Sequence, residues 1–145
     1  MTQEEKELLL KDLCTRLPYG VVIHTYYNKP IDIKCTGCDL FANTVNLDIP
    51  NDDEAKVYVE NVRPYLRPMS SMTEEEKEEL KQEHVKDTRL LADALTKTAE
   101  GDTSMRGKVI LHFAVDWCNK NHFDYRGLIP MGLALEAPEG MYKNE

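Results

Sequence analysis

The sequence predicts one α+β domain, with an N-terminal helix, a small antiparallel four-stranded sheet or partial barrel, and a helical C-terminal half. Three observations predict it: leucines at helical spacing near the N-terminus, short alternating segments up to residue 60, and helical stripes after residue 72. A chain of 145 residues is long enough to bury a single core. We therefore expect residues 1–62 to form the helix and sheet, 63–72 a proline-rich crossing, and 73–145 a mainly helical half.

The first helix is predicted to begin at Thr2, which can form a capping box with Glu5. Four leucines then recur at helical spacing and indicate the buried face: Leu9, Leu10, Leu13 and Leu17. Three polar side chains are expected on the opposite face: Glu4, Lys11 and Asp12. Pro18 and Gly20 should end the helix.

Four strand candidates follow in the next forty positions. They are residues 21–27, 31–34, 41–49 and 56–60, which are β-branched, aromatic or alternating in polarity. A turn at 28–30 should join the first two, and Gly37 should end the second. Because the connections are short, the pattern favours an antiparallel meander.

Residues 63–72 contain Pro64 and Pro68, which lack a backbone donor and disfavour helical backbone at the residues before them. Beyond this crossing, Thr73 and Glu76 form a second capping box and predict a helix to about Ala99. Its acidic start, from Glu74 to Glu83, is expected to be a solvated face, with mimicry of DNA as an alternative. Residues 109–118 fit a strand or a helix, and a buried helix over 105–120 is favoured.

The charge of the chain excludes several classes of protein. It has 18 basic and 26 acidic side chains, a formal net charge of −8, so its average field repels the phosphates of nucleic acids. No run approaches the ~20 apolar residues of a membrane helix, and the acidic N-terminal residues do not fit a signal peptide. We expect a cytoplasmic protein that binds neither nucleic acid nor membrane.

Cys35 and Cys38 form the sharpest chemical motif, because two thiols around a glycine-containing pair can hold one zinc ion. A structural zinc site needs two more ligands, and the sequence has no second pair of this spacing. The alternative is two reduced thiols on a hairpin, as a cytosolic chain favours. A thioredoxin-like pair is not favoured, since no βαβ pattern surrounds it. Cys14 and Cys118 are expected to be small apolar residues of the core.

Residues 122–126 bring an imidazole, a carboxylate, a phenol and a guanidinium close together in sequence. The favoured interpretation is structural, with Asp124 capping a turn and Arg126 pairing with the acidic helix. No catalytic motif accompanies them, so we expect no enzyme activity and no cofactor. A candidate interaction surface combines these residues with the crossing, because arginine and aromatic side chains anchor interfaces: Arg63, Tyr65, Arg67, His122, Asp124, Tyr125 and Arg126.

Three segments carry a resemblance to other proteins: LPYGV at 17–21, RPYLRPMSSMTEEE at 63–76, and the stretch from DW at 116–117 to NHFDYRGLI at 121–129. In these segments the chain resembles a group of small uncharacterised proteins from gut Bacteroides genomes and their phages or mobile elements. The resemblance implies an origin and a helix ending near the tryptophan, but no activity, cofactor or site residue.

The expected function is a non-enzymatic accessory or protein-interaction domain, encoded by a phage or mobile element, with a protein partner or a second copy of the chain. The alternative is a small zinc module centred on Cys35 and Cys38. A third hypothesis is an enzyme that uses His122, Asp124 and Arg126.

Overall fold

One long helix lies against a six-stranded sheet in the computed structural model, which describes residues 1–80, 82 and 115–142. Helix α1 spans Gln3–Arg16. The strands are β1 Val22–Tyr26, β2 Pro30–Asp39, β3 Thr44–Leu47, β4 Lys56–Tyr58, β5 Arg63–Leu66 and β6 Leu135–Glu136. Short 3₁₀ turns occupy Leu17–Tyr19, Val59–Asn61 and Met69–Ser71. Residues 74–80 and 115–120 are helical.

The order of strands in the sheet is β4-β3-β2-β1-β5-β6. The first four strands pair as the predicted antiparallel meander, and the α+β class is confirmed. The predicted number of strands is wrong, because the described residues contain six. The two additional strands extend the sheet beyond β1, and β6 runs parallel to β5.

The predicted crossing at 63–72 begins as a strand of the sheet. Pro64 lies opposite Ile23 of β1, and Arg63 lies opposite His24. Proline and the residue before it both favour extended backbone, so the pattern that excluded a helix here is equally compatible with a short strand. Pro64 and Leu66 alternate into the core, which is the reason this extended segment joins the sheet.

Helix α1 has the predicted start and end. The Thr2 side chain accepts a hydrogen bond from the Glu5 backbone N–H at 3.1 Å. Leu9, Leu10 and Leu13 are buried against the sheet. Gly20 ends the following 3₁₀ turn with a φ of +69°, a left-handed backbone that glycine adopts without strain. Asp12 is buried, so its predicted place on the polar face is wrong.

Gly37 does not end the second strand as predicted. Strand β2 continues to Asp39 through a β-bulge between Cys35 and Gly37, where a Cβ at position 37 would lie 2.9 Å from Nδ2 of Asn46. The third strand is shorter than predicted, because residues 40–43 form the turn that joins β2 to β3.

The second capping box is confirmed in both directions. Thr73 accepts a hydrogen bond from the Glu76 N–H, and the Glu76 carboxylate accepts one from the Thr73 N–H, each at 3.1 Å. The remainder of the predicted helix to Ala99 lies outside the described residues apart from residue 82. Of the predicted helix 105–120, residues 115–120 are helical and 105–114 lie outside the described residues. In the part of the chain that the structure describes, no helix is long and apolar enough to cross a membrane.

Two apolar clusters fill the interior. The larger lies between α1 and the sheet and includes Leu13, Ile23 and Leu66. The smaller contains Trp117, Cys118 and Phe123, with Met72, Leu80 and Tyr125 packed against it. The larger cluster also includes Leu128 and Leu133, so the C-terminal segment, residues 115–142, packs against both α1 and the sheet.

Candidate functional site

A buried charge cluster joins α1 to the C-terminal segment. Asp12 and Arg16 are both fully buried, and the Arg16 Nε donates to Asp12 Oδ2 at 2.9 Å. The Nε of Arg126 donates to the other carboxylate oxygen at 3.1 Å. Arg126 was predicted to pair with the acidic helix; in the described part of the chain it pairs with Asp12 instead, a buried carboxylate that must be compensated by cations.

The same cluster fixes the backbone of the C-terminal segment. Arg16 Nη2 donates to the carbonyl of Phe123 at 2.6 Å. The guanidinium groups of Arg16 and Arg126 lie 5.4 and 5.0 Å from the ring centroid of Tyr125, within cation–π range. Among the described residues, Arg16 Nη1 is buried without a hydrogen-bond partner. The guanidinium groups of Arg16 and Arg126 therefore bind the C-terminal segment from within the protein.

Arg67 is a second link between the sheet and the C-terminal segment. Its guanidinium donates two hydrogen bonds of 2.6 Å to the Glu76 carboxylate and lies 4.2 Å from the ring centroid of Phe123. These hydrogen bonds lower the pKa of Glu76. The Arg67 backbone also pairs with the neighbouring segment, because its N–H donates to His122 O and its carbonyl accepts from Asp124 N–H, both at 2.8 Å.

His122 and Asp124 serve the interior. His122 is only 5% exposed, and its ring stacks on Tyr142 with centroids 3.7 Å apart. Burial, together with the charge of Arg16, lowers the pKa of His122 to about 4. The carboxylate of Asp124 accepts hydrogen bonds from the N–H groups of Leu128 and Ile129 at 2.8 and 2.9 Å, as expected of a capping residue.

Arg63 and Tyr65 of the predicted interaction surface bind groups of their own sheet. Arg63 Nη1 donates to the carbonyl of Val62 at 3.1 Å, and the Tyr65 hydroxyl donates to Asp32 at 2.9 Å. Of the seven predicted residues, His122 and Asp124 are buried and the other five are half-buried. The interaction surface stays a prediction.

Cys35 and Cys38 lie on β2, where the Cys35 thiol donates to the carbonyl of Gly37 at 3.5 Å, and burial raises the pKa of the Cys14 thiol on α1 to about 11. Cys38 also lines a surface cavity of about 800 Å³, and Arg67 lines a second of about 790 Å³. Neither cavity includes residues of both 35–38 and 122–126. Among the described residues, no group of three or more His, Cys, Asp or Glu side chains could hold a metal ion. Zinc binding stays a prediction.

The most exposed apolar residues lie beside Cys38, in the turn between β2 and β3. Leu40 is 64% exposed and Phe41 is entirely exposed. Tyr58, 60% exposed, lies on β4 opposite Thr44 of β3. We call Leu40 and Phe41 the apolar turn.

Sequence reasoning missed the apolar turn because Phe41 begins a run that also fits a strand. The turn is built by Asp39, whose Oδ1 accepts hydrogen bonds from the N–H groups of Phe41 and Ala42 at 2.9 and 3.0 Å. Asn43 follows with a φ of +57°. An aspartate two residues before Phe41 and an asparagine two residues after it were the available signals for a turn.

We expect Asp12→Asn to reduce the free energy of unfolding by about 3–5 kcal/mol, because it leaves Arg16 buried without its anionic partner. Urea unfolding measures the change. Asp53→Asn, at an exposed position, is the matched control and should shift stability by no more than about 0.5 kcal/mol. Equal effects of the two variants would contradict the role of the cluster.

Stability should also depend on the protonation of His122. Its pKa is lowered in the folded state, so the unfolded state binds the proton first as the pH falls. The contribution of neutral His122 is therefore complete above about pH 6.5 and decreases toward pH 4, by roughly 3 kcal/mol in total. Urea unfolding at pH 7.5 and 4.5 should show a smaller loss in His122→Gln than in the unchanged chain. Tyr26→Phe, at an exposed position of β1, should keep the full loss.

No protein-family model matches the chain, and neither a curated protein nor a solved structure matches it. The resemblance to Bacteroides and phage proteins therefore stays a prediction.

Proposed function

We propose that this chain is a non-enzymatic accessory domain that binds another protein through the apolar turn. The observation that carries the proposal is the complete exposure of Phe41 beside Leu40. Single exposed apolar residues are common on protein surfaces, but adjoining large ones beside a cavity are typical of contact sites.

The apolar turn offers a partner an anchor that is already ordered. Asp39 holds two backbone N–H groups of the turn, so Phe41 projects from a defined loop. An aromatic side chain buries on the order of 150–250 Å² on binding, worth several kcal/mol at about 25 cal/mol per Å². Ordering the loop beforehand reduces the entropy lost on binding.

The charge around the apolar turn indicates the partner. The adjacent cavity is lined by Asp39, Asp53 and Glu54, against the single cation Lys56. An acidic rim attracts a segment that carries lysine or arginine beside apolar side chains. A second copy of this chain is less favoured, because two acidic faces and two net charges of −8 repel each other.

The contacts of the C-terminal segment support a non-enzymatic role. Arg126 binds Asp12, and Asp124 binds backbone N–H groups. His122 is held neutral beneath Tyr142, with its pKa lowered to about 4 by burial. An acid–base group that serves near neutral pH needs a pKa near that range and access to a substrate. The proposal includes encoding by a phage or mobile element, which rests on the sequence resemblance. It also includes a cytoplasmic location, which rests on the composition of the chain.

A display library of short random peptides, selected against the immobilised protein, tests the proposal. We expect the selected peptides to combine lysine or arginine with aromatic or aliphatic residues. Their affinity should fall at least about tenfold for the double variant Leu40→Ser, Phe41→Ser, because both anchors are removed. The matched control is Tyr26→Ser, which removes a tyrosine that is 63% exposed on β1.

Two results would contradict this function. One is a selection that enriches no basic and apolar sequence. The other is equal binding of the selected peptides to the double variant and to the unchanged chain. Light scattering of the free protein tests whether a second copy of the chain is the partner. A dimer that dissociates in the double variant would identify that second copy and overturn the proposal of a basic segment.

A further inference from the structure

The cavity beside the apolar turn lies on the face of the sheet opposite to the core. In β3, Val45 and Leu47 belong to the core between α1 and the sheet. Because successive side chains of a strand alternate between faces, Thr44 and Asn46 lie on the other face, and both line the cavity. The cavity of about 800 Å³ is therefore bounded by the outer face of β3, by the apolar turn and by the loop between β3 and β4.

The hydroxyl of Thr44 is a buried polar group at this cavity. Thr44 is 7% exposed, and its Oγ1 has no hydrogen-bond partner in the part of the chain that the structure describes. It lies between Asp39 of β2 and Tyr58 of β4, its neighbours in the two strand pairs. Buried hydroxyl groups are nearly always hydrogen-bonded, because an unpaired one destabilises the fold. An unpaired hydroxyl on a residue that lines a cavity points to a ligand that donates to it.

Two carboxylates at the same cavity have no cation. Asp53 and Glu54 are exposed and line the cavity, and among the described residues neither forms an ion pair, even with Lys56. Their loop is nonetheless ordered. Asp52 Oδ1 accepts a hydrogen bond from the Glu54 N–H at 3.2 Å, and Asp52 Oδ2 accepts one from the Tyr27 hydroxyl at 3.0 Å. Two carboxylates on an ordered loop attract a positively charged group.

We propose that the cavity binds one arginine side chain of the partner segment, an inference that rests on the proposed function. The guanidinium group pairs with the carboxylates of Asp53 and Glu54 and donates a hydrogen bond to the hydroxyl of Thr44. The methylene groups of the arginine pack against Leu40 and Phe41, which also line the cavity. The cavity thereby adds a charged subsite to the apolar turn.

Arginine fits these acceptors better than lysine. The acceptors lie on two elements, with the hydroxyl on β3 and the two carboxylates on the loop that follows it. A guanidinium group carries five N–H groups in a planar fork and can donate in several directions, whereas an ammonium group is a compact charge with three donors. The guanidinium group is also less strongly hydrated, which favours its transfer from water to a cavity with an apolar wall.

Nuclear magnetic resonance with derivatives of single amino acids tests the proposal. The probe is N-acetyl-arginine N-methylamide, titrated into the isotope-labelled protein at low salt. We expect saturable shifts of the backbone N–H signals of residues 39–46 and 53–56. The corresponding lysine derivative should bind at least about threefold more weakly. The citrulline derivative, which has the shape of arginine without its charge, should produce no saturable shift.

Variants of the cavity should weaken the binding of the arginine derivative. Asp53→Asn combined with Glu54→Gln removes both charges and should lower the affinity at least about tenfold. Thr44→Val keeps the shape of the side chain without its hydroxyl and should lower the affinity about fivefold. The matched control, Glu78→Gln combined with Glu79→Gln, makes the same change of charge at exposed positions of the helix at 74–80 and should bind as the unchanged chain does. Circular dichroism checks the fold, and Thr44→Ala replaces Thr44→Val if the latter is unfolded.

Several results would overturn the proposal. They are the absence of a saturable shift with the arginine derivative, equal or tighter binding of the lysine or citrulline derivative, and unchanged affinity in either cavity variant. A protein that binds the selected peptides but not the arginine derivative would keep the proposed function and lose this subsite. Binding of the derivative at the cavity, when no basic and apolar peptide is selected, would support the subsite and contradict the proposed function.

Discussion

The buried ion pair between Asp12 and Arg16 is the interaction on which the arrangement of the molecule depends. Removing a carboxylate and a guanidinium from water costs several kcal/mol for each ion, so Asp12 and Arg16 are tolerable inside only as a pair. The pair also binds Arg126 and the carbonyl of Phe123. The Asp12–Arg16 pair thereby fixes the position of the C-terminal segment against α1.

That segment completes the sheet as well as the core. Strand β6 pairs with β5, and the hydroxyl of Tyr142 accepts a hydrogen bond from Val22 N–H at 2.9 Å while donating to the carbonyl of Tyr65 at 2.7 Å. These contacts satisfy backbone groups where β1 and β5 separate. Arg67 adds its ion pair with Glu76 on the same side. The C-terminal segment thereby closes the interior beside β5.

Local sequence rules predicted the parts of the fold that local forces determine. The cap at Thr2, the capping box at Thr73 and the meander of β1 to β4 depend on neighbours in sequence, and all are present. Strands β5 and β6 depend on pairing between distant segments, which periodicity does not report. The Cys35 and Cys38 spacing identified a chemical motif, but the bulge that brings both residues to one face of β2 leaves no pattern in one sequence.

The contacts of α1 also determine when the protein can finish folding. Arg16 finds the Phe123 carbonyl 107 positions later, and Asp12 finds Arg126 114 positions later. Contacts of such separation form late, because a long loop must close first. During synthesis on the ribosome, α1 therefore emerges with Asp12 and Arg16 able to pair with each other but without Phe123 and Arg126. Its final packing must wait until residue 126 has been translated.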